Sequence, residues 1–237
     1  YLILLFMIIL AGISTGLSRR STNEVSYAVQ IVDIVTQRSF CAGQLWQYAT
    51  TLYASGLGLA TFPNATLNSI RGAMGGAKDT LGLSNSNLKT LLSKLDTKNL
   101  IQTAYQRDVT FYNYYGTSVQ RSEMEVFTST DLLLAKYGPI VTLQDLKALP
   151  KDPDIPFLLN NTGNDYMIKS KKLNDLTFDF LKDTTSNKIK TLRAFLAIQI
   201  FALFLLTTAF VLIPFVIVKA YKRLLKALVK IPDNRMN

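Results

Sequence analysis

An uncharged run of 25 residues from Ala194 to Val218 constrains this chain more than any other feature. A helix needs roughly 20 apolar residues to cross about 30 Å of hydrocarbon, so the run predicts a transmembrane span. The start of the chain repeats the pattern, since Tyr1 to Leu17 carries no charge. That run is shorter and opens at Tyr1 rather than at a Met, and we read it as part of a longer helix. A cleaved signal peptide is the alternative; against it, no basic segment precedes the run and Ala11-Gly12-Ile13-Ser14 is a poor cleavage site.

Charge is unevenly placed. After Val218 come Lys219, Lys222, Arg223, Lys226, Lys230 and Arg235 against Asp233, which supply +5 of the net +10. Between Ser21 and Arg193 there are 18 basic and 15 acidic residues, an ordinary near-neutral surface. Nucleic acid is not an expected partner, because a protein that tracks phosphates concentrates its basic residues on the folded domain. The chain has no His and one Cys, Cys41. Imidazole acid–base chemistry, Ser-His or Cys-His nucleophiles and His-ligated metals are excluded. No catalytic cluster, cofactor site or metal site emerges, so an enzyme is not expected. Cys41 reads as a small buried residue on a helix, with an intermolecular disulfide as the alternative.

Two signals orient the chain. The tail is denser in Lys and Arg than the segment before the second span, which carries Lys188, Lys190 and Arg193; the positive-inside rule then puts the tail in the cytosol. Two glycosylation sequons, at Asn64 and Asn160, lie in Pro/Asn-rich segments that read as loops on the opposite side.

Between the spans the pattern is helical. Ala28, Val35, Ala42, Ala49 and Gly56 alternate with Ile31, Leu45 and Leu52 at heptad spacing, one long helix ending near Gly56-Leu57-Gly58. Arg38 falls where an apolar residue is due and reads as an edge residue that extends toward water, or else as a partner across the interface. A second helix is predicted over Leu67–Leu81, and a third opens at Ser84 or Ser86 and carries Leu88, Leu91, Leu92 and Leu95, then Leu100 to Tyr105. Val109 to Tyr115 has strand composition but no evident partner, so it reads as an aromatic helix end or loop. Thr130–Tyr137 reads as a helix closed by Gly138-Pro139, and Thr142 with Asp145 as a capping box before a short helix stopping at Pro150. Asp152 to Pro156 reads as an irregular, solvated turn rather than a Ca²⁺ loop. From about Lys171 the residues Leu173, Leu176, Phe180, Ile189 and Leu192 lead, without Pro or Gly, into the second span. Beyond it the five basic residues from Lys219 to Lys230 take one side of a helix, and Tyr221, Leu224, Leu225 and Leu228 the other. Such a segment is expected to lie on the anionic inner leaflet or to cap an adjoining cytosolic domain.

The expected organisation is all-α: a transmembrane helix over 1–18, an extracytosolic helical-bundle domain over 19–193, a second transmembrane helix over 194–218 continuous with the last bundle helix, and a basic amphipathic cytosolic segment over 219–237.

This order resembles the protist membrane proteins called tiny macrocysts protein B-like. The residues that carry the likeness are the long helix from Ser26-Tyr27-Ala28-Val29 to Gln47, the segment Phe157-Leu158-Leu159-Asn160-Asn161, and Ala227-Leu228-Val229-Lys230-Ile231-Pro232 just inside the membrane. The resemblance implies a sensor or receptor region of the plasma or ciliary membrane, with its output domain outside this chain, and it transfers no catalytic residue. The expected function is relay of ligand or partner binding through the second span; the alternative is a structural subunit of a membrane or cell-surface assembly. Expected partners are the bilayer, anionic lipid at the tail, and further copies or other membrane subunits.

Overall fold

A computed structural model describes residues 2–94, 98–115 and 118–229. The chain is mostly helical and divides into two compact units: Glu24–Thr184, and Tyr1–Asn23 with Thr185–Asn237. Two long helices belong to both units, α1 (Leu2–Gly56) and α6 (Met167–Val229).

In the larger unit α1 contributes a stripe at heptad spacing. Ala28, Ile31, Val35, Ala42, Leu45, Ala49 and Leu52 are all buried, as their periodicity predicts. The helix closes as expected at Gly56. Gly58, at φ +74°, takes the left-handed conformation, and its N–H and that of Leu59 return to the carbonyls of Ser55 and Ala54.

α2 runs unbroken over Asn64–Leu92, where the sequence suggests two helices. Ser84, taken as a helix start, instead faces a neighbouring helix and donates to Gln37 Oε1 at 2.9 Å. Asn85 donates to Asp131 Oδ1 at 2.8 Å and to the Phe127 carbonyl at 3.3 Å. The polar residues that resemble a break are interhelical contacts. The glycines do not break the helix, and the space beside them would admit a Cβ: at Gly75 or Gly82 it would lie at ordinary contact distance, 3.5 Å, from Val141 Cγ1 or Leu134 Cδ1, and at Gly72 and Gly76 it would meet nothing within 4 Å. Leu100 and Ala104 are buried on α3 (Lys98–Tyr105), and Leu95 lies outside the described residues.

Val109–Tyr115 is a strand, β1, paired antiparallel with β2 (Ser118–Met124) in the register Val109↔Met124 to Tyr115↔Ser118. The reading of Val109–Tyr115 as a helix end or loop is therefore corrected. β2 escapes the sequence because Gln120, Arg121, Ser122 and Glu123 have no apolar periodicity; it is the hairpin's mostly exposed strand.

α4 (Val126–Thr142) continues one turn past Gly138-Pro139, because Tyr137 and Ile140 are both buried and hold that turn against the core. Asp145 caps a 3₁₀ segment, Leu146–Lys151, by accepting from the Lys147 N–H at 3.0 Å. Asp152 and Pro153 form the expected turn, but the rest of that stretch is the first turn of α5 (Asp154–Asn161), where Pro156 is tolerated because the first-turn N–H groups have no helical acceptor. A kinked turn, Thr162–Tyr166, in which Asn164 leaves helical geometry at φ −104° and ψ −124°, joins α5 to α6. α6 begins at Met167, ahead of the predicted Lys171, because Tyr166, Lys169, Ser170, Leu173 and Thr177 all face the core.

In the smaller unit, Leu10, Ser14 and Leu17 of α1 and Phe195, Gln199, Ala202, Leu206 and Ala209 of α6 are half-buried at 4–3 spacing; Thr185, Ser186, Lys188 and Thr208 are half-buried outside that series. Leu10 and Ala11 share a groove with Gln199, Ala202 and Leu203. Most of the apolar run from Ala194 to Val218 is exposed, including Phe201, Phe204, Phe210 and Phe215. Among the described residues, one helical stretch is long and apolar enough to cross a membrane; its most apolar 18-residue window has mean hydropathy 2.7 and no buried residue.

Candidate functional site: a cleft at the end of the long helix, and a buried arginine

The larger unit starts on α1 at Glu24, and at 1.5 Å per residue Gly56 lies about 48 Å further along that helix. There the start of α2 and the segment after α4 enclose a cleft of about 530 Å³. Asn64, Asn68 and Arg71 form one wall, Gln144, Asp145 and Lys147 the other, and buried Leu67 also lines it. Arg71 spans it, with Nη2 donating to the Gln144 carbonyl at 3.0 Å and Nη1 to Asn68 Oδ1 at 3.2 Å. Its Nε is buried without a partner. α2 opens after Pro63 with no side-chain cap, so its first N–H groups also face this end. Two cationic side chains against one carboxylate, with amides and free N–H donors, suit a polar solute carrying an anionic or carbonyl group. In the sequence only Asn64 of this group carries a functional signal, its sequon, while Leu67 and Asp145 read as helix residues; the cleft is assembled from segments about 80 residues apart, which no local pattern announces.

The second unusual feature is Arg38. It is 1% exposed, so the reading as an edge residue is corrected. Nη2 donates to Thr130 Oγ1 at 2.6 Å and to the Val126 carbonyl at 3.3 Å, and the guanidinium carbon lies 5.6 Å from the Phe127 ring centre. Thr130 Oγ1 donates to the Val126 carbonyl at 2.7 Å and lies 3.0 Å from the Tyr166 hydroxyl. Among the described residues no carboxylate pairs with Arg38, and its Nε and Nη1 have no partner. α1, α4 and the start of α6 thus meet around a cation solvated by hydroxyls, a carbonyl and an aromatic face. Arg38 replaces one apolar heptad position; that interruption is the signal in the sequence.

Nearby, Tyr137 and Thr162 hydroxyls lie 2.9 Å apart, and burial pushes the Tyr137 phenol well above its ordinary pKa, with a lesser opposing effect of the Thr162 bond and a further rise from Tyr166. Burial likewise raises the Cys41 thiol, which is free and sits on α1. Lys169, 4% exposed, pairs with Asp108.

The sequence-selected residues fall apart in space. Asn64, Ala65 and Thr66 are all exposed at the first turn of α2. Asn160 is exposed but sits in α5, not in a loop, and its sequon threonine, Thr162, is buried and held by Tyr137. Lys219, Lys222 and Arg223 are exposed on the last turns of α6. Lys226 is on the same helix, with no side-chain description, and Lys230 lies outside the described residues. Among the described residues no group of three or more His, Cys, Asp or Glu is arranged to hold a metal ion. No protein-family model, curated protein or solved structure matches the chain.

Proposed function

We propose that this chain is a membrane-anchored sensor or receptor module, in which a solute or partner engages the cleft at the end of α1 and α2 and the effect passes along α6 to the cytosol. The observation that carries the reading is the continuity of α6. It begins at Met167 in the core of the larger unit, where Lys169, Ser170, Leu173 and Thr177 are buried, and continues without a break, as one helix, through the apolar run to Val229. Helix displacements of about 1–2 Å are the usual scale of such switches. In this reading Asn64 and Asn160 face outside, both apolar helices cross the plasma or ciliary membrane, and Lys219, Lys222, Arg223, Lys226 and Lys230 meet anionic lipid on the cytosolic side. Kinship with the tiny macrocysts protein B-like group belongs to the same proposal.

The test is a Gly-Gly insertion after Asn187, where α6 has left the larger unit. The larger unit should stay folded, because its contacts from α6 end by Thr184. A fluorophore on the tail should then stop responding to an external protein or solute that moves it in the native chain. An unchanged response would reduce α6 to an anchor and favour the structural reading, in which copies or other membrane subunits assemble around the chain.

A further inference from the structure

The core stripe of α1 is nearly repetitive. One set of positions carries Ala28, Val35, Ala42 and Ala49, and the other carries Ile31, Arg38, Leu45 and Leu52. Small residues recur on the first and branched aliphatics on the second, so a slide of one heptad, about 10 Å, would set similar shapes against the same neighbours. Val35 is larger than the alanines of its set, but Arg38 is the one polar residue in either set. In the observed register its guanidinium meets Thr130 Oγ1, the Val126 carbonyl and the Phe127 face. In a slipped register it would enter the apolar site of Ile31 or Leu45, and an aliphatic residue would be left against the Thr130 and Tyr166 hydroxyls.

We propose that Arg38 is a register lock: a buried cation without a counter-charge that fixes the axial position of α1 against α4 and α6. Two observations separate this from a stabilising role. Two of the three guanidinium nitrogens have no partner, so the contact is far from optimal as a source of stability. Of the other polar contacts between α1 and its neighbours, Thr36 Oγ1 to Asn174 Oδ1 at 3.2 Å and Trp46 Nε1 to the Leu159 carbonyl at 3.0 Å lie at exposed edges where water can replace them, and the part-buried bond from Ser84 to Gln37 ties α1 to α2 rather than to α4 or α6. A single buried polar residue at an interface position specifies register in helical bundles by this logic. The inference rests on the unit Glu24–Thr184 alone and does not depend on a ligand or on signalling.

The test uses the full chain in lipid nanodiscs, with Cys41→Ala and paired cysteines. Thr36→Cys with Asn174→Cys reports the observed register, and Gly43→Cys with Asn174→Cys reports a slip of one heptad. With Arg38 present only the first pair should cross-link. In Arg38→Met the second pair should cross-link at least tenfold faster than with Arg38, at unchanged helix content. If Arg38→Met does not fold, Arg38→Met with Thr130→Val removes both polar partners and is read by the same two pairs. A single register in whichever variant folds overturns the proposal. So does failure of both variants to fold, because a register lock is dispensable for folding itself.

Discussion

Asn161 pairs with the backbone of Tyr112 in both directions: the Tyr112 N–H donates to Asn161 Oδ1 at 2.7 Å, and Asn161 Nδ2 donates back to the Tyr112 carbonyl at 2.9 Å. The amide stands in for a third strand beside β1 and also reaches the Phe157 carbonyl at 2.8 Å. A two-stranded hairpin is marginal by itself, so this one side chain, with the Phe111–Phe157 edge contact at 5.6 Å, anchors it to α5. Asn161→Leu keeps the size but strands two backbone groups at a partly buried edge. The expected cost is about 2–4 kcal/mol, read as a lower midpoint in urea or heat. An unchanged midpoint would mean that water solvates the edge equally well.

Tyr137 gives a pH dependence of definite sign. Its phenol is raised above the ordinary value of 10.0, chiefly by burial, so the neutral form is the one the fold keeps. The associated stability is complete below about pH 10 and is lost as pH rises above it. Tyr137→Phe gives up the Thr162 hydrogen bond and should be about 1 kcal/mol less stable at neutral pH. At alkaline pH that gap should narrow or reverse, since the variant has no phenol there to ionise. Melting curves across the range, with tyrosinate absorbance, test this; a constant gap would exclude Tyr137 as the titrating group.

Lys169 depends on Asp108 for its charge partner, and only Lys169 is deeply buried, at 4% against 31% for the Asp108 side chain. Asp108→Asn leaves the ammonium without a full counter-charge. Solvent reaching Asp108 moderates the loss, and we expect about 2 kcal/mol. Asp108→Asn with Lys169→Met should recover most of it. Equal stability of Asp108→Asn and the native chain would show that water already serves Lys169.

The parts legible in the sequence are those where one helix face decides burial. The α1 stripe, its stop at Gly58, the buried Cys41 and the uninterrupted α6 follow from spacing alone. The parts that were not legible depend on partners distant in sequence. β2 is polar because it is mostly exposed, so only its pairing with Val109–Tyr115 defines it. Ser84 and Asn85 imitate a helix start because their acceptors, Gln37, Phe127 and Asp131, lie on other helices. The same holds for Arg38, whose acceptor is 92 residues away, and for the cleft, whose walls come from α2 and the segment after α4.

The two sequons should behave differently. Asn64 begins a helix with its whole tripeptide exposed, whereas Asn160 lies in the last turn of α5 and its sequon threonine, Thr162, is buried just beyond that helix against Tyr137. If the larger unit is outside the cytosol, glycosidase should shift the native protein, and Asn64→Gln should abolish most of that shift. Asn160→Gln should leave it nearly intact. Loss of the shift in Asn160→Gln alone would mean that modification precedes folding of α5. No shift in any form, together with cleavage of the 219–237 tail from outside intact cells, would invert the proposed topology.

Gly56 offers a handle on the cleft that leaves its lining residues unchanged. A Cβ there would lie 2.4 Å from the Leu146 carbonyl oxygen and 3.1 Å from Pro150 Cδ, and a backbone carbonyl has no rotamer by which to yield. Gly56→Ala must therefore push the 3₁₀ segment Leu146–Lys151 away from α1, at a cost of about 1–3 kcal/mol. That movement carries one wall of the cleft with it, because Gln144, Asp145 and Lys147 precede or open the segment. Gly58→Ala is the control. Its Cβ would meet nothing within 4 Å, but φ is +74°, so the cost is local backbone strain of about 1 kcal/mol. We expect hydrogen exchange in residues 144–150 to accelerate in Gly56→Ala and to remain native in Gly58→Ala, although both lower the melting temperature. Equal exchange in the two variants would mean that the 3₁₀ segment does not rest on Gly56, and that the wall it forms is held from elsewhere.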